Sequence, residues 1–319
     1  MDTTLPYVFH GGRTPSRMPS SKAVALATLM RMVVKPGFAA MSEVEDMRAG
    51  AAQWFDRFSR MDAGMSLDRA RISNCDVDWV YPNGIETDRV LLYFPGGAFV
   101  VRTPDAHRVL AGRIARATHA RALVVFYRLA PEHHFPAALD DCIEAYETLI
   151  SEGVPPSRIV VGGDSAGGCL ALATLQFLRD RNRPMPAAGF ALSPVTDLRG
   201  HMRGSRTKNE SLDPMLSIWP SRFKPHELYV NGNRKLLEDP KVSPALGDFS
   251  GLPPLLFQVG STEILLDDSR LAVEKARHAG TDAMVEIWKD MPHVWHLWSL
   301  PESRRAIAHL ADFVRQHCP

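Results

Sequence analysis

A serine, a histidine and an acid stand along this chain where together they could carry out nucleophilic acyl transfer. Ser165 lies in Gly163-Asp164-Ser165-Ala166-Gly167, between the apolar run Ile159-Val160-Val161 and the run Cys169-Leu170-Ala171-Leu172-Ala173-Thr174-Leu175. A strand, a sharp turn and a helix with serine at the apex is the context of a nucleophile elbow. Such a turn strains the serine backbone and crowds strand against helix, so Gly163 and Gly167 leave room where a Cβ would clash. Ser165 Oγ is then expected to stand clear at the top of a sheet. The N–H of Ala166 would open the helix, where it can stabilise an oxyanion. The plainer reading, a Gly-rich helix cap with an idle serine, is disfavoured by the strand and helix on either side.

A second loop fits the same chemistry. Val90-Leu91-Leu92-Tyr93-Phe94 reads as a buried strand and runs into Pro95-Gly96-Gly97-Ala98-Phe99. A Gly-Gly loop after such a strand can present backbone N–H groups unobstructed by side chains, as the other half of an oxyanion hole requires. The sequence leaves two donor pairs open, Gly96 with Gly97 or Gly97 with Ala98. His10-Gly11-Gly12 lies in a leader rich in Pro and Ser with no strand before it, and reads as loop.

A nucleophilic serine needs a base, and the base needs an acid to orient it. After Ser165, the strand Leu255-Leu256-Phe257-Gln258-Val259 ends at Gly260-Ser261-Thr262-Glu263-Ile264-Leu265-Leu266-Asp267-Asp268. After the next strand, Met284-Val285-Glu286-Ile287-Trp288, comes Asp290-Met291-Pro292-His293-Val294-Trp295-His296. An acid past one late strand and a histidine past the next follow the chain order Ser, acid, His. Glu263 is nearest the strand end and is the first choice for the acid. Asp267 is the alternative; with Asp268 it falls in the first turn of a helix, where an acid also complements the dipole. His293, after Pro292, is preferred as base to His296, which reads as a packing histidine among Trp295, Leu297 and Trp298.

The elements that would hold these groups alternate. Leading strands are Val77-Asp78-Trp79-Val80, Val90 to Phe94, Ala122 to Tyr127, Ile159 to Val161 and Ala187 to Leu192, with helical runs between them. That pattern predicts an α/β fold on a mostly parallel central sheet flanked by helices. Between Leu198 and Asp248 the strand signal stops, and pieces such as Met215-Leu216-Ser217-Ile218-Trp219 and Glu238-Asp239-Pro240 read as short helices. The expected organisation is an N-terminal cap segment over 1–65, core over 66–197, a cap insertion over 198–250 and core again over 251–319. Ile307, Leu310 and Val314 mark one face of a closing helix. No internal repeat or low-complexity tract is evident.

These motifs resemble those of the bacterial hormone-sensitive-lipase family of α/β-hydrolase esterases. The matching pieces are Pro95-Gly96-Gly97-Ala98, Tyr127-Arg128-Leu129-Ala130-Pro131-Glu132, Phe135-Pro136-Ala137-Ala138-Leu139-Asp140-Asp141, Gly163 to Gly167, Ser193-Pro194, Ser243-Pro244-Ala245-Leu246, Gly251-Leu252-Pro253-Pro254, and Glu263 with His293. They run from about residue 75 to the C-terminus. The resemblance implies an α/β-hydrolase fold with a helical cap, carboxylic-ester hydrolysis, no cofactor, and an architectural role for Tyr127 to Asp141 in bracing the oxyanion loop. It also implies acyl chains of roughly two to eight carbons and no interfacial activation. The chain departs from the family at two places. Pro95 stands where a histidine is usual; its ring restricts the backbone but offers no polar contact. Glu263 stands where Asp is commoner, and its longer side chain can still reach an imidazole.

Bulk properties agree. The 319 residues, with 37 basic and 36 acidic side chains, suit one large domain with an extra lobe and carry no excess charge for nucleic acid. Cys75, Cys142, Cys169 and Cys318 have no paired spacing, so no disulfide framework is expected and the cytoplasm is the default compartment. Ala23 to Met30, preceded by Lys22, resembles a signal h-region but starts late and is interrupted by Arg31; it reads instead as an amphipathic cap helix. No stretch is expected to be long and apolar enough to span a bilayer. The Gly162 to Gly168 run lacks the lysine of a phosphate loop, and His226-Glu227 and His133-His134 lack the companions of a metal site, so no metal is expected. The partner expected is a small-molecule ester or lactone, and a homodimer is compatible with these features. A lactonase or amidase would use the same acyl-enzyme chemistry. A small-molecule receptor on the same fold is the non-enzyme alternative, and the survival of Ser165, Glu263 and His293 argues against it.

Overall fold

The computed structural model describes residues 18–57, 59–200, 204–217 and 224–319. The chain enters through α1 (Ser21–Leu29), whose first turn is capped by the Ser20 hydroxyl accepting the Ala23 N–H at 3.2 Å. A π-helical turn over Met30–Val34 carries it into α2 (Lys35–Ala40), and α3 (Val44–Ala51) follows. The run Ser21–Ala40 forms 20 continuous helical residues with mean hydropathy 1.4. By length and composition it could cross a bilayer, which corrects the expectation that no stretch could. Arg31 does not end the helix, because an isolated charge among Ala, Leu, Met and Val leaves helix propensity intact. Nor is the helix sharply two-faced: Ala23, Met30 and Val34 are buried while Val24, Leu29, Met32 and Val33 are exposed.

An antiparallel ribbon then forms from β1 (Met65–Ile72) and β2 (Cys75–Pro82). The alternation begins with β3 (Val90–Phe94), α4 (Pro104–Thr118), β4 (Arg121–Phe126), α5 (Ala137–Ser151), β5 (Ile159–Asp164), α6 (Ala166–Asp180) and β6 (Ala188–Leu192). Two short helices, α7 (Ser205–Lys208) and α8 (Pro225–Tyr229), precede β7 (Leu255–Gly260), α9 (Leu266–His278), β8 (Ala283–Trp288) and α10 (Pro301–His317). The eight strands make one sheet in the order β1-β2-β4-β3-β5-β6-β7-β8. Every pairing from β4 to β8 is parallel; β2 joins β4 antiparallel.

Parallel strands covered on both faces need continuous apolar runs, and β3, β5 and β6 are buried throughout. One core layer sets the sheet against α5, α6 and α9 through residues such as Leu139, Leu170 and Val273. The other sets it against α4 and α10 through Leu110, Ile114, Leu310 and Val314. β1 was not anticipated. Its Asp68, Arg69 and Arg71 are exposed on an edge, where charges deter further strand pairing but blur the hydrophobic alternation.

Among the described residues no strand lies between β6 and β7, and short helical turns at Arg234–Glu238 and Pro244–Leu246 occupy the interval with α7 and α8. Met215 to Ser217 are not helical; Ile218 and Trp219, like His10 to Gly12, lie outside the described residues. The N-terminal helices reach this region through side chains. Arg31 Nη2 donates to Leu212 O at 2.8 Å, and Lys35 Nζ donates to Asp213 O at 2.9 Å and Glu210 O at 2.5 Å.

Candidate active site

Ser165 joins β5 to α6 with φ +51° and ψ −116°, outside the regions a non-glycine residue ordinarily occupies. The strain is held by backbone hydrogen bonds: Ser165 N–H donates to Leu192 O at 2.8 Å, and its carbonyl accepts from Cys169 and Val195. The flanking glycines are required by space. A Cβ on Gly167 would collide with Phe94 O, and one on Gly163 with Phe94 O and the Gly167 backbone. The elbow is therefore packed directly against the end of β3, which brings the two loops together.

Glu263 lies in the turn after β7 and is fully buried. Its Oε2 faces His293 Nδ1 at 2.8 Å. Its Oε1 accepts the Gly260 N–H at 2.6 Å and the Ser193 hydroxyl at 2.7 Å. Burial pulls the His293 imidazole down, but the hydrogen bond and charge of Glu263, with smaller help from Asp213 and Asp164, leave its pKa above the usual histidine value. Ser165 and His293 line the same cavity.

Asp267, the alternative acid, points elsewhere. It accepts the Ser205 N–H at 2.8 Å and pairs with Arg270 at 3.4 Å. Asp268 is buried against Arg206 and the N–H groups of Thr196 and Asp197. His296 is also buried, with Nε2 at 2.9 Å from Gln258 Oε1 and its ring against Trp295. Burial pushes its pKa down to about 3, so it is a neutral packing group.

In the Pro95–Phe99 loop, Gly97 has φ +133°, and a Cβ there would overlap Val101 O. Its carbonyl accepts the N–H groups of Val100 and Val101 at 3.0 and 2.8 Å. Ala98 and Phe99 follow with positive φ, braced by the Phe99 ring stacked on Tyr229 at 4.1 Å. The Gly96 N–H is already committed, donating to Asp164 Oδ1 at 3.0 Å. The N–H groups of Gly97 and Ala98 have no acceptor among the described residues, and that of Ala166 opens α6, where none is available within the helix.

The stretch from Tyr127 to Asp141 braces this loop. The Tyr127 hydroxyl donates to Pro95 O at 2.7 Å, and Ala130 N–H donates to Phe99 O at 2.9 Å. Arg128 grips the buried Asp141 through two nitrogens. Arg48 from α3 adds bonds to Val100 O, Ala130 O and Glu132.

Sequence reasoning missed Asp164, His107 and Asp213. Asp164 accepts the Tyr93 hydroxyl at 2.6 Å and lies 3.3 Å from His107 Nε2. Burial alone would raise it; the charge and hydrogen bond of His107, with the Tyr93 and Gly96 donors, pull it below the usual carboxylate range. Asp213 is fully buried. It accepts the N–H groups of Met215, Leu216 and Ile264 at 2.8 to 2.9 Å, and burial followed by the charge of Glu263 raises its pKa. Only the position of Asp164 inside the Ser165 motif could have drawn attention to any of these.

Ser165 opens onto two spaces. One, of about 120 Å³, is walled by Phe38, Met47, Phe55, Met215, Leu216, Leu297 and His293. The other, of about 400 Å³, is walled by Phe99, Leu198, Leu265 and the polar Arg199, Arg206, Lys224 and Glu227. Among the described residues no cluster of His, Cys, Asp and Glu has metal-ligand geometry.

The family model described as the alpha/beta hydrolase fold matches residues 91–297, more than half the chain. An acetyl-hydrolase of Streptomyces hygroscopicus is 41% identical over 250 residues, covering 78% of this chain and 82% of that protein. A crystal structure of an esterase from the bacterial hormone-sensitive lipase family superposes with TM-score 0.87 at 37% identity, over 95% of this chain and 100% of that one. The esterase EstE5, in a crystal soaked with p-nitrophenyl butyrate, gives TM-score 0.86 at 35% identity, over 94% of this chain and 99% of that one. The chain belongs to the α/β-hydrolase family, in the bacterial hormone-sensitive-lipase group of esterases, and is a carboxylic-ester hydrolase.

Proposed function

We propose that Ser165, His293 and Glu263 are the catalytic triad of this esterase, and that it cleaves short- to medium-chain esters through an acyl-enzyme. His293 Nε2 takes the Ser165 proton as Oγ attacks the ester carbonyl. Glu263, bonded to Nδ1, holds the ring and stabilises the imidazolium. The N–H groups of Gly97, Ala98 and Ala166 receive the oxyanion; Gly96, committed to Asp164, supports the loop instead. His293 then returns the proton to the leaving alcohol and activates water to release the acid.

The observation that carries this reading is the buried 2.8 Å bond that Glu263 accepts from His293 Nδ1, with His293 and Ser165 lining one cavity. Residues 1–65 and 198–250 are assigned to a cap, supported by the bonds of Arg31 and Lys35 to Leu212, Glu210 and Asp213. The small apolar space under that cap suits an acyl chain of about two to eight carbons. The acetyl-hydrolase relative and the butyrate ester soaked into EstE5 point the same way. The cytoplasm is the assigned compartment, on four buried, unpaired cysteines; burial pushes the Cys75 thiol up to about 12. Cell fractionation that found the activity in the envelope or medium would overturn that assignment.

The test is a fluorophosphonate label located by mass spectrometry, with p-nitrophenyl esters of rising chain length. An adduct on Ser165 and a maximum at or below the eight-carbon ester are expected. An adduct elsewhere removes the triad, and a maximum on long chains removes the cap reading.

A further inference from the structure

Beneath the oxyanion loop lies a second histidine–carboxylate pair with no place in the triad. His107, on α4, and Asp164, at the end of β5, are 3% and 2% exposed. His107 Nδ1 is 2.8 Å from Thr103 O, a carbonyl that can only accept, so Nδ1 carries a proton. In a neutral ring Nε2 would then be bare, and it would face Asp164 Oδ2 at 3.3 Å lone pair to lone pair. A proton on Nε2 removes that conflict and makes the ring an imidazolium. The Thr103 hydroxyl, 3.0 Å from Nδ1, can turn its lone pair to the same N–H. The other oxygen of Asp164 accepts the Tyr93 hydroxyl and the Gly96 N–H. The groups whose charge bears on this pair are Asp56, reaching α4 through the Ala106 N–H, and His293 across the cavity; the buried Tyr93, Tyr127 and His296 also interact with Asp164 and are held neutral by burial.

We propose that His107 is a positioning residue for ester hydrolysis: as an imidazolium it holds Asp164 ionised and oriented, Asp164 holds the Gly96 N–H, and this aims the N–H groups of Gly97 and Ala98 at the oxyanion. The proposal rests on the reading of Gly97 and Ala98 as oxyanion donors. The loop has particular need of such a hold. Pro95 contributes no polar side chain, and Gly97, Ala98 and Phe99 all have positive φ. Gly96 is the loop's first N–H, and a charged acceptor bonds it more strongly than a neutral one would. A buried carboxylate deprived of its cation would take up a proton or turn toward water, and either change loosens Gly96. Misaimed oxyanion donors slow the chemical step and leave ground-state binding little altered.

The test compares wild type with His107→Gln, Asp164→Asn and the double variant, each with its active sites counted by fluorophosphonate titration. Per titrated site, His107→Gln is expected to lower kcat for p-nitrophenyl butyrate by about 10- to 100-fold with KM within about threefold. The inhibition constant of a trifluoromethyl ketone, which becomes tetrahedral on Ser165, should rise by a similar factor. The double variant should lose little more than the worse single one, because both break one chain of bonds. A merely structural role would lower the melting temperature and the titrated fraction but leave kcat per site and the ketone unchanged, and that result overturns the proposal. Should the variants not fold, ¹⁵N imidazole spectra of wild type decide: protons on both His107 nitrogens at pH 7 support it, and a bare nitrogen overturns it. Wild type that labelled at a residue other than Ser165 would remove the triad instead, so the two failures are separate.

Discussion

Ser193 ties Glu263 to the loop that carries His293: its hydroxyl donates to Glu263 Oε1 at 2.7 Å, and its oxygen accepts the Val294 N–H at 3.2 Å. Ser193 is fully buried with φ +47°, a conformation that stands only because its surroundings fix it. Ser193→Ala removes both bonds while the Gly260 N–H remains on the carboxylate. Leaving such a group short of a partner costs about 1–3 kcal/mol. If that loss appears in orientation of His293, kcat should fall roughly 5- to 160-fold with Ser165, His293 and Glu263 chemically intact. Saturation kinetics on p-nitrophenyl butyrate would read it, and an unchanged kcat would show that Gly260 alone suffices.

Ser165→Ala should leave a folded protein with esterase turnover reduced by about three orders of magnitude or more. Circular dichroism checks the fold. Hydrolysis within about tenfold of wild type would sink the nucleophile.

The acids and histidines should separate cleanly. Glu263→Gln should cut kcat by about two or more orders of magnitude with KM little changed, whereas Asp267→Asn, which loses bonds to Ser205 and Arg270, should keep most of it. His293→Ala should be inactive. His296→Ala should instead lower stability by about 1–3 kcal/mol, since it opens a buried space and strips Gln258 of a partner. Urea unfolding and active-site titration distinguish the two effects.

Activity and one share of stability should move oppositely with pH. As the proposed base, His293 must be neutral to accept the Ser165 proton, and its pKa is raised above the ordinary 6.5. The acid limb of kcat/KM should therefore be centred above 6.5. The folded state holds a proton there that the unfolded chain has released, so the Glu263–His293 contribution is complete below 6.5 and fades as pH rises through the folded value. His107, also raised, acts in the same sense. Melting curves against pH for wild type and Glu263→Gln check this: the variant should lose part of the slope.

Deleting residues 1–40 should open the apolar space beside Ser165, lower stability and depress turnover of short esters more than of long ones. Lys35→Met is the milder version, removing only the bonds to Glu210 and Asp213. A truncated protein that lost stability but kept its chain-length profile would show that these helices pack without shaping the site.

The elbow and the late loops were legible because their constraints are local. Gly163 and Gly167 are dictated by contact with Phe94, and Glu263 and His293 each follow a recognisable strand. His107 was not legible: it sits 57 residues before Asp164 on a helix whose pattern alone explains it as a core position. The orientation of Gly96 was hidden for the same reason, since it depends on Asp164 rather than on the glycine run. β1 was masked by its edge charges, and the Ser21–Ala40 helix by the reading of Arg31 as a break.

The bonds that join Arg31 and Lys35 to residues 210–213 all end on main-chain carbonyls. A carbonyl is the same whatever side chain its residue bears. Sequence can therefore drift at position 212 without undoing the bond from Arg31, while Arg31 and Lys35 cannot. Asp213 is the exception on the receiving side, because its carboxylate also anchors Ile264, the neighbour of Glu263. A library that randomises 212 and 213 should thus return varied residues at 212, and aspartate at 213.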